Sequence, residues 1–100
     1  MYTIVETVSF QMQVADIWNE GELAAFIDWL ALNPLAGEVV QGTHGARKIR
    51  WAAKGKGKRS GARVIYFNRL ELGFILLLAV YAKNEQENIS VKTIQGLKNE

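Results

Sequence analysis

The chain has 100 residues, 49% hydrophobic and 22% charged, which is the composition of one globular domain able to bury its own core. The absence of cysteine excludes a disulfide scaffold or a thiolate zinc site, and the longest apolar run, residues 74–82, is about half of a membrane-spanning helix. The net charge of +2 is unevenly spread: residues 1–38 carry six acids and no base, residues 39–70 nine bases and no acid, and residues 71–100 four acids and three bases.

Residues 2–10, YTIVETVSF, alternate and are rich in β-branched and aromatic side chains, which predicts a first strand, followed by a short helix between Gln11 and about Trp18. Asn19-Glu20-Gly21-Glu22 has the spacing of a capping box, and Leu23, Phe26, Ile27 and Leu30 behind it form one apolar stripe of an α-helix. Asn33-Pro34 ends that helix, because the residue before proline is pushed out of helical geometry. Residues 35–45 contain Gly37, Gly42 and Gly45 and read as loop with a short edge around Val39–Val40. Strands are expected at about 46–53 and 62–69, joined by Lys54 to Gly61, KGKGKRSG. Glu71-Leu72-Gly73 turns the chain into a third strand, Phe74 to Lys83, whose apolar character on both faces places it mid-sheet with cover on each side. Ile89, Ile94 and Leu97 mark a short helix at about 89–98. The order describes a single α+β domain over residues 1–100: an N-terminal strand and two helices, then an antiparallel β-meander and a short C-terminal helix. No leader pattern opens the chain, so a cytoplasmic protein without a membrane partner is expected.

Nine bases without an interspersed acid form a candidate polyanion footprint, because clustered cations displace counterions from phosphates. A solvated loop that keeps the protein soluble is the alternative. Lys54, Lys56, Lys58 and Arg59 lie in a loop whose glycines would let a nucleic-acid backbone approach, and both flanking segments are also basic. The loop is not a phosphate-binding P-loop, which needs a strand on one side and a helix on the other. Alternation puts Arg47, Ile49 and Trp51 on one face of the incoming strand and Lys48 and Arg50 on the other; in the outgoing strand Arg63, Ile65, Phe67 and Arg69 share a face. A guanidinium in Arg63's position could grip a phosphate through two hydrogen bonds, or lay its stem on the sheet as an ordinary surface arginine. Lys83, at the end of the last strand, reads either as a phosphate contact or as a strand-terminal lysine in water. Trp51, Tyr66, Phe67 and Tyr81 could stack on bases but fit a core better. His44 is the only histidine and lies in a glycine-flanked loop with no second ligand for a metal. Apart from it, the basic block contains no histidine or carboxylate, and the N-terminal acids read as helix-start charges and a solvated face.

Four segments together resemble a known family: Asn33-Pro34-Leu35-Ala36-Gly37-Glu38; Gly42-x-x-Gly45-x-Arg47-Lys48-x-Arg50-Trp51; Gly61-x-Arg63-Val64-Ile65-Tyr66; and Val80-Tyr81-Ala82-Lys83-Asn84-Glu85. In this order they resemble the HigB branch of the RelE/ParE toxin superfamily over about residues 3–97. The resemblance implies the toxin of a type II toxin-antitoxin system, a ribosome-dependent mRNA endonuclease that needs no metal or cofactor and is silenced by a HigA-like antitoxin, with a higher-order complex possible. Its implied partners are the antitoxin, the ribosome and mRNA. It implies catalytic roles for Arg63, which would grip the phosphate, for Lys83 as acid or phosphate contact, and for Lys54 or Lys56 as base, with Lys58 also open. Arg47, Lys48, Arg50, Lys54, Lys56, Lys58 and Arg59 would hold RNA. Where RelE proper has a stacking aromatic residue after the last basic position, this chain reads NEQENIS. Two other readings remain: a ParE-like toxin that blocks DNA gyrase without catalysis, and a plain nucleic-acid-binding module.

Overall fold

Thr7 decides the N-terminal structure. The strand expected over 2–10 is confined to β1, Thr3–Glu6, because the Thr7 hydroxyl accepts the Phe10 backbone N–H and caps a helix, α1, Val8–Val14. The same hydroxyl donates to the Leu77 carbonyl at 2.9 Å, so the cap is also anchored to the sheet. Val8 and Phe10 fit the alternation of the expected strand, but Phe10 and Val14 are the buried i, i+4 pair of a helix. The helix expected from Gln11 therefore begins three residues earlier. The capping box forms as expected: Asn19 Oδ1 accepts from Glu22 N at 2.8 Å, and Glu22 Oε1 accepts from Asn19 N at 2.9 Å. It opens α2, Glu20–Leu32, which buries Phe26, Leu30 and Ala31 and stops at Asn33, where φ is −134° ahead of Pro34.

The computed structural model describes residues 2–51, 61–82 and 89–98. The remaining elements are β2 (Glu38–Val39), β3 (Ala46–Trp51), β4 (Ala62–Arg69), β5 (Phe74–Ala82) and α3 (Val91–Leu97). They form a five-stranded sheet in the order β1-β5-β4-β3-β2. The meander β3-β4-β5 is antiparallel as expected, with β2 antiparallel at one edge. At the other edge β1 pairs with β5 in parallel, an addition to the expected meander. Between β4 and β5, residues Leu70–Leu72 make one 3-10 turn and Gly73 takes φ of 86°, a left-handed conformation suited to glycine. Ser90 caps α3 by accepting from Thr93 N. The expected strand ends at Ala52–Ala53 and Lys83, and the loop bases Lys54, Lys56, Lys58 and Arg59, lie outside the described residues. Among the described residues no helix is long and apolar enough to cross a membrane.

Both faces of β5 are covered. On one side Phe10, Val14, Trp18, Phe26 and Leu30 pack on Val64, Tyr66, Ile75, Leu77 and Val80. Trp18, Phe26, Trp51 and Trp29 continue this core as a chain of ring contacts at 5.0–5.3 Å between centroids. On the other side Ile94 of α3 packs with Ala46, Ile65, Leu78, Ala79 and Tyr81. The register shifts at one point: Ile65 opposes Ala79 but Tyr66 opposes Leu77, so Leu78 is an extra residue in β5. A bulge of this kind reverses the facing of everything beyond it. Without it Tyr81 would share the face of Ile75 and Leu77. With it, Tyr81 comes to the α3 face, next to Arg63.

Candidate active site

Strand pairing assembles the basic side chains. Across β3, β4 and β5, Arg50 opposes Arg63 and Arg63 opposes Tyr81; one row further along, Glu38 opposes Lys48 and Lys48 opposes Ile65. Paired residues of antiparallel strands project from the same face. Because Ala46, Ile65 and Tyr81 lie in the core beneath α3, Lys48, Arg50 and Arg63 project from that side. Arg47, Ile49 and Trp51 take the opposite face, as alternation predicted. The rows meet in a groove of about 380 Å³ lined by Ala36, Gly37, Glu38, Lys48, Ile49, Arg50 and Arg63.

Arg63 is half-buried, and its Nη1 is shielded from solvent with no hydrogen-bond partner among the described residues. A buried guanidinium donor without an acceptor is costly, and an oxyanion would satisfy it with a charge-assisted bond. Two like charges directly opposite each other, as at Arg50 and Arg63, are also unfavourable in a sheet, and a phosphate between them converts the repulsion into attraction. This corner of the fold is suited to hold an anion. Tyr81, only 5% exposed, stands opposite Arg63 on β5. Burial raises the Tyr81 phenol above its ordinary range, with the Arg63 charge partly opposing the shift.

The groove's outer wall, residues 34–38, is fastened from behind. Tyr66, fully buried, donates its hydroxyl to the Pro34 carbonyl at 3.0 Å and accepts from Gly37 N at 2.9 Å. Asn68 Nδ2 donates to the same Pro34 carbonyl at 2.9 Å. Arg47 Nη1 donates to the carbonyls of Gly37 at 2.6 Å and Leu35 at 3.3 Å. Arg47, expected to hold RNA, thus commits its Nη1 to the wall as a strut, and it is not among the residues that line the groove. Burial raises the Tyr66 phenol too, opposed by the Gly37 hydrogen bond and by Arg47.

These two phenols give a pH prediction. A group whose pKa is raised by folding contributes stability that is complete below its unfolded value, about 10 for tyrosine, and is lost as pH rises through the folded value. The melting temperature should therefore hold up to about pH 9 and fall above about pH 10, more steeply in the parent than in Tyr66→Phe. Thermal melts over that window check this; equal slopes in the two proteins would contradict it.

Of the other candidates, His44 is exposed in the turn before β3 at φ of 58°, among the few side-chain types that adopt this region readily. Trp51 and Tyr66 pack inward. Phe67 has Lys98 Nζ 4.0 Å above its ring and the Arg69 guanidinium at 5.7 Å, a cation–π contact at the far end of the same face. Lys83, Lys54, Lys56, Lys58 and Arg59 lie outside the described residues. Two features were missed in the sequence. Gly37 is the point where the wall meets the sheet, and Glu38, taken as part of the solvated acidic half, lines the basic groove. Only strand pairing reveals the second.

No family model matches the chain. Its structure is similar to that of the E. coli toxin RelE, solved as a double arginine-to-alanine variant in the free state, with a TM-score of 0.61 over 97% of this chain and 96% of that one at 14% sequence identity. The chain has the RelE-type fold.

Proposed function

We propose that this protein is the toxin of a toxin-antitoxin pair and that it cleaves mRNA on the ribosome, in the manner of the HigB branch. The observation that carries the proposal is the buried, unpartnered Arg63 Nη1 in a groove flanked by Arg50 and Lys48, on the fold of a protein named as a toxin. Cleavage by in-line attack of the 2′-OH on the adjacent phosphorus requires cations around the phosphate, a proton acceptor and a proton donor. Arg63 would hold the non-bridging oxygens and stabilise the charge that develops on them. Lys48 and Arg50 would bind the RNA backbone beside it, and Lys54, Lys56, Lys58 and Arg59 would extend this contact from the hairpin. Lys83 is the proposed proton donor or phosphate contact. An antitoxin of HigA type would neutralise the protein in the cytoplasm by covering this positive surface or displacing its strands.

Induction of the protein in cells, with mRNA 5′ ends mapped beside the supercoiling state of a reporter plasmid, tests the proposal. New in-frame mRNA ends with unchanged supercoiling are expected. Relaxed or altered supercoiling with intact mRNA would replace the nuclease by a gyrase-blocking toxin.

A further inference from the structure

We infer that Glu38 accepts the proton of the attacking 2′-OH, an assignment that rests on the nuclease reading above. Glu38 is the one acid among the described residues lining the groove, which also contains Lys48, Arg50 and Arg63. Its place there is built into the fold. The residue before it, Gly37, is held at its N–H by Tyr66 and at its carbonyl by Arg47, and Glu38 itself is fixed in register opposite Lys48 on β2.

The charge balance makes this placement informative. A surface that only bound RNA would bind more tightly without a carboxylate, because like charge repels the phosphates. Attack by a 2′-OH, however, needs an acceptor. An ammonium group has donors only, whereas a carboxylate oxygen has the lone pairs that accept a proton. In the step, a Glu38 oxygen takes the 2′-hydroxyl proton as the 2′ oxygen bonds to phosphorus. The bond from phosphorus to the 5′ oxygen breaks, leaving a 2′,3′-cyclic phosphate. The 5′ oxygen takes a proton from water, and the hydroxide left behind recovers the proton from Glu38, so that atoms and charge balance. Arg63 stabilises the negative charge on the non-bridging oxygens throughout.

Glu38→Gln tests the assignment, because it removes the acceptor and the negative charge while keeping the shape. Single-turnover cleavage of ribosome-bound mRNA should fall about 10²- to 10⁴-fold, the usual contribution of a positioned acid or base. Affinity for the programmed ribosome should stay equal or increase, and the melting temperature should be unchanged. Cleavage by Glu38→Gln within about threefold of the parent, with Arg63→Ala inactive, would overturn the Glu38 assignment and leave the nuclease reading intact. Parallel loss of cleavage, affinity and melting temperature would also overturn it, by making Glu38 a structural residue. A parent protein that leaves the mRNA whole would remove the nuclease reading itself.

Discussion

Arg63→Ala should eliminate toxicity and mRNA cleavage while leaving the protein folded. The strand retains Val64, Ile65 and Tyr66, each at most 1% exposed, as its contribution to both cores. Arg63 itself gives the fold little: its Nη1 is buried without a partner among the described residues, and it stands opposite another arginine. Removing it should change stability by roughly 1 kcal/mol or less, a shift of about 4–8 °C at most for a domain of this size. The rate should respond quite differently. In the proposed reaction Arg63 meets the developing phosphorane charge, and its loss should cost about 10²–10³-fold, by analogy with loss of one oxyanion-hole donor. Arg63→Lys should restore only part of this, because a point charge does not reproduce two parallel hydrogen bonds from a planar fork. His44→Ala should leave activity intact, since His44 is an exposed turn residue. Toxicity in cells together with thermal melts of the purified variants reads both quantities.

Gly37→Ala should be strongly damaging, because the added methyl group meets the tightest contacts found at the glycines whose surroundings are described. A Cβ there would lie 2.8 Å from the Tyr66 hydroxyl and 2.9 Å from the Lys48 carbonyl. Neither neighbour can move away cheaply: Tyr66 is buried and bonded to Pro34 and Gly37, and the Lys48 carbonyl belongs to the backbone of β3. Overpacking of this kind costs about 1–3 kcal/mol, and displacing the wall also weakens the Tyr66 and Arg47 bonds that hold it. The melting temperature should drop by about 4–8 °C for each kcal/mol lost, and activity should fall with it because Glu38 moves with Gly37. Gly96→Ala provides the contrast. With nothing within 4 Å of its added methyl group, it should stabilise α3 by about 0.5–1 kcal/mol. If both substitutions were neutral, the close approach of the wall to the sheet would not be as described.

These two residues mark what could and could not be read from the sequence. The α2 helix was legible because its signals are local: a capping box at one end, proline at the other and an apolar stripe between. The limits of β4 and the mid-sheet position of β5 followed from alternation and from a run apolar on both faces. The first strand was overextended because Val8 and Phe10 fit both periods, and the deciding bond, from Phe10 N–H to the Thr7 hydroxyl, is a matter of geometry. The site was legible as a set of residue types, and Arg63 was singled out from its strand. Its surroundings were not legible. The bulge at Leu78 that turns Tyr81 toward Arg63 has no sequence mark, and neither does the pairing of Glu38 with Lys48. Arg47 and Lys48 are neighbours of the same charge, yet one braces the wall and the other lines the groove, because a strand sends consecutive side chains to opposite faces.

In the proposed function the groove around Arg63 cuts mRNA held by a ribosome. The most direct measurement combines purified ribosomes, a defined end-labelled mRNA and the purified protein, with the new 3′ ends identified chemically. The expected result is a cut within the codon presented in the ribosomal A site, ending in a 2′,3′-cyclic phosphate, made by the parent protein and absent with Arg63→Ala of matched melting temperature. An mRNA that stays intact with the parent protein, or is cut equally well by Arg63→Ala, would contradict the claim.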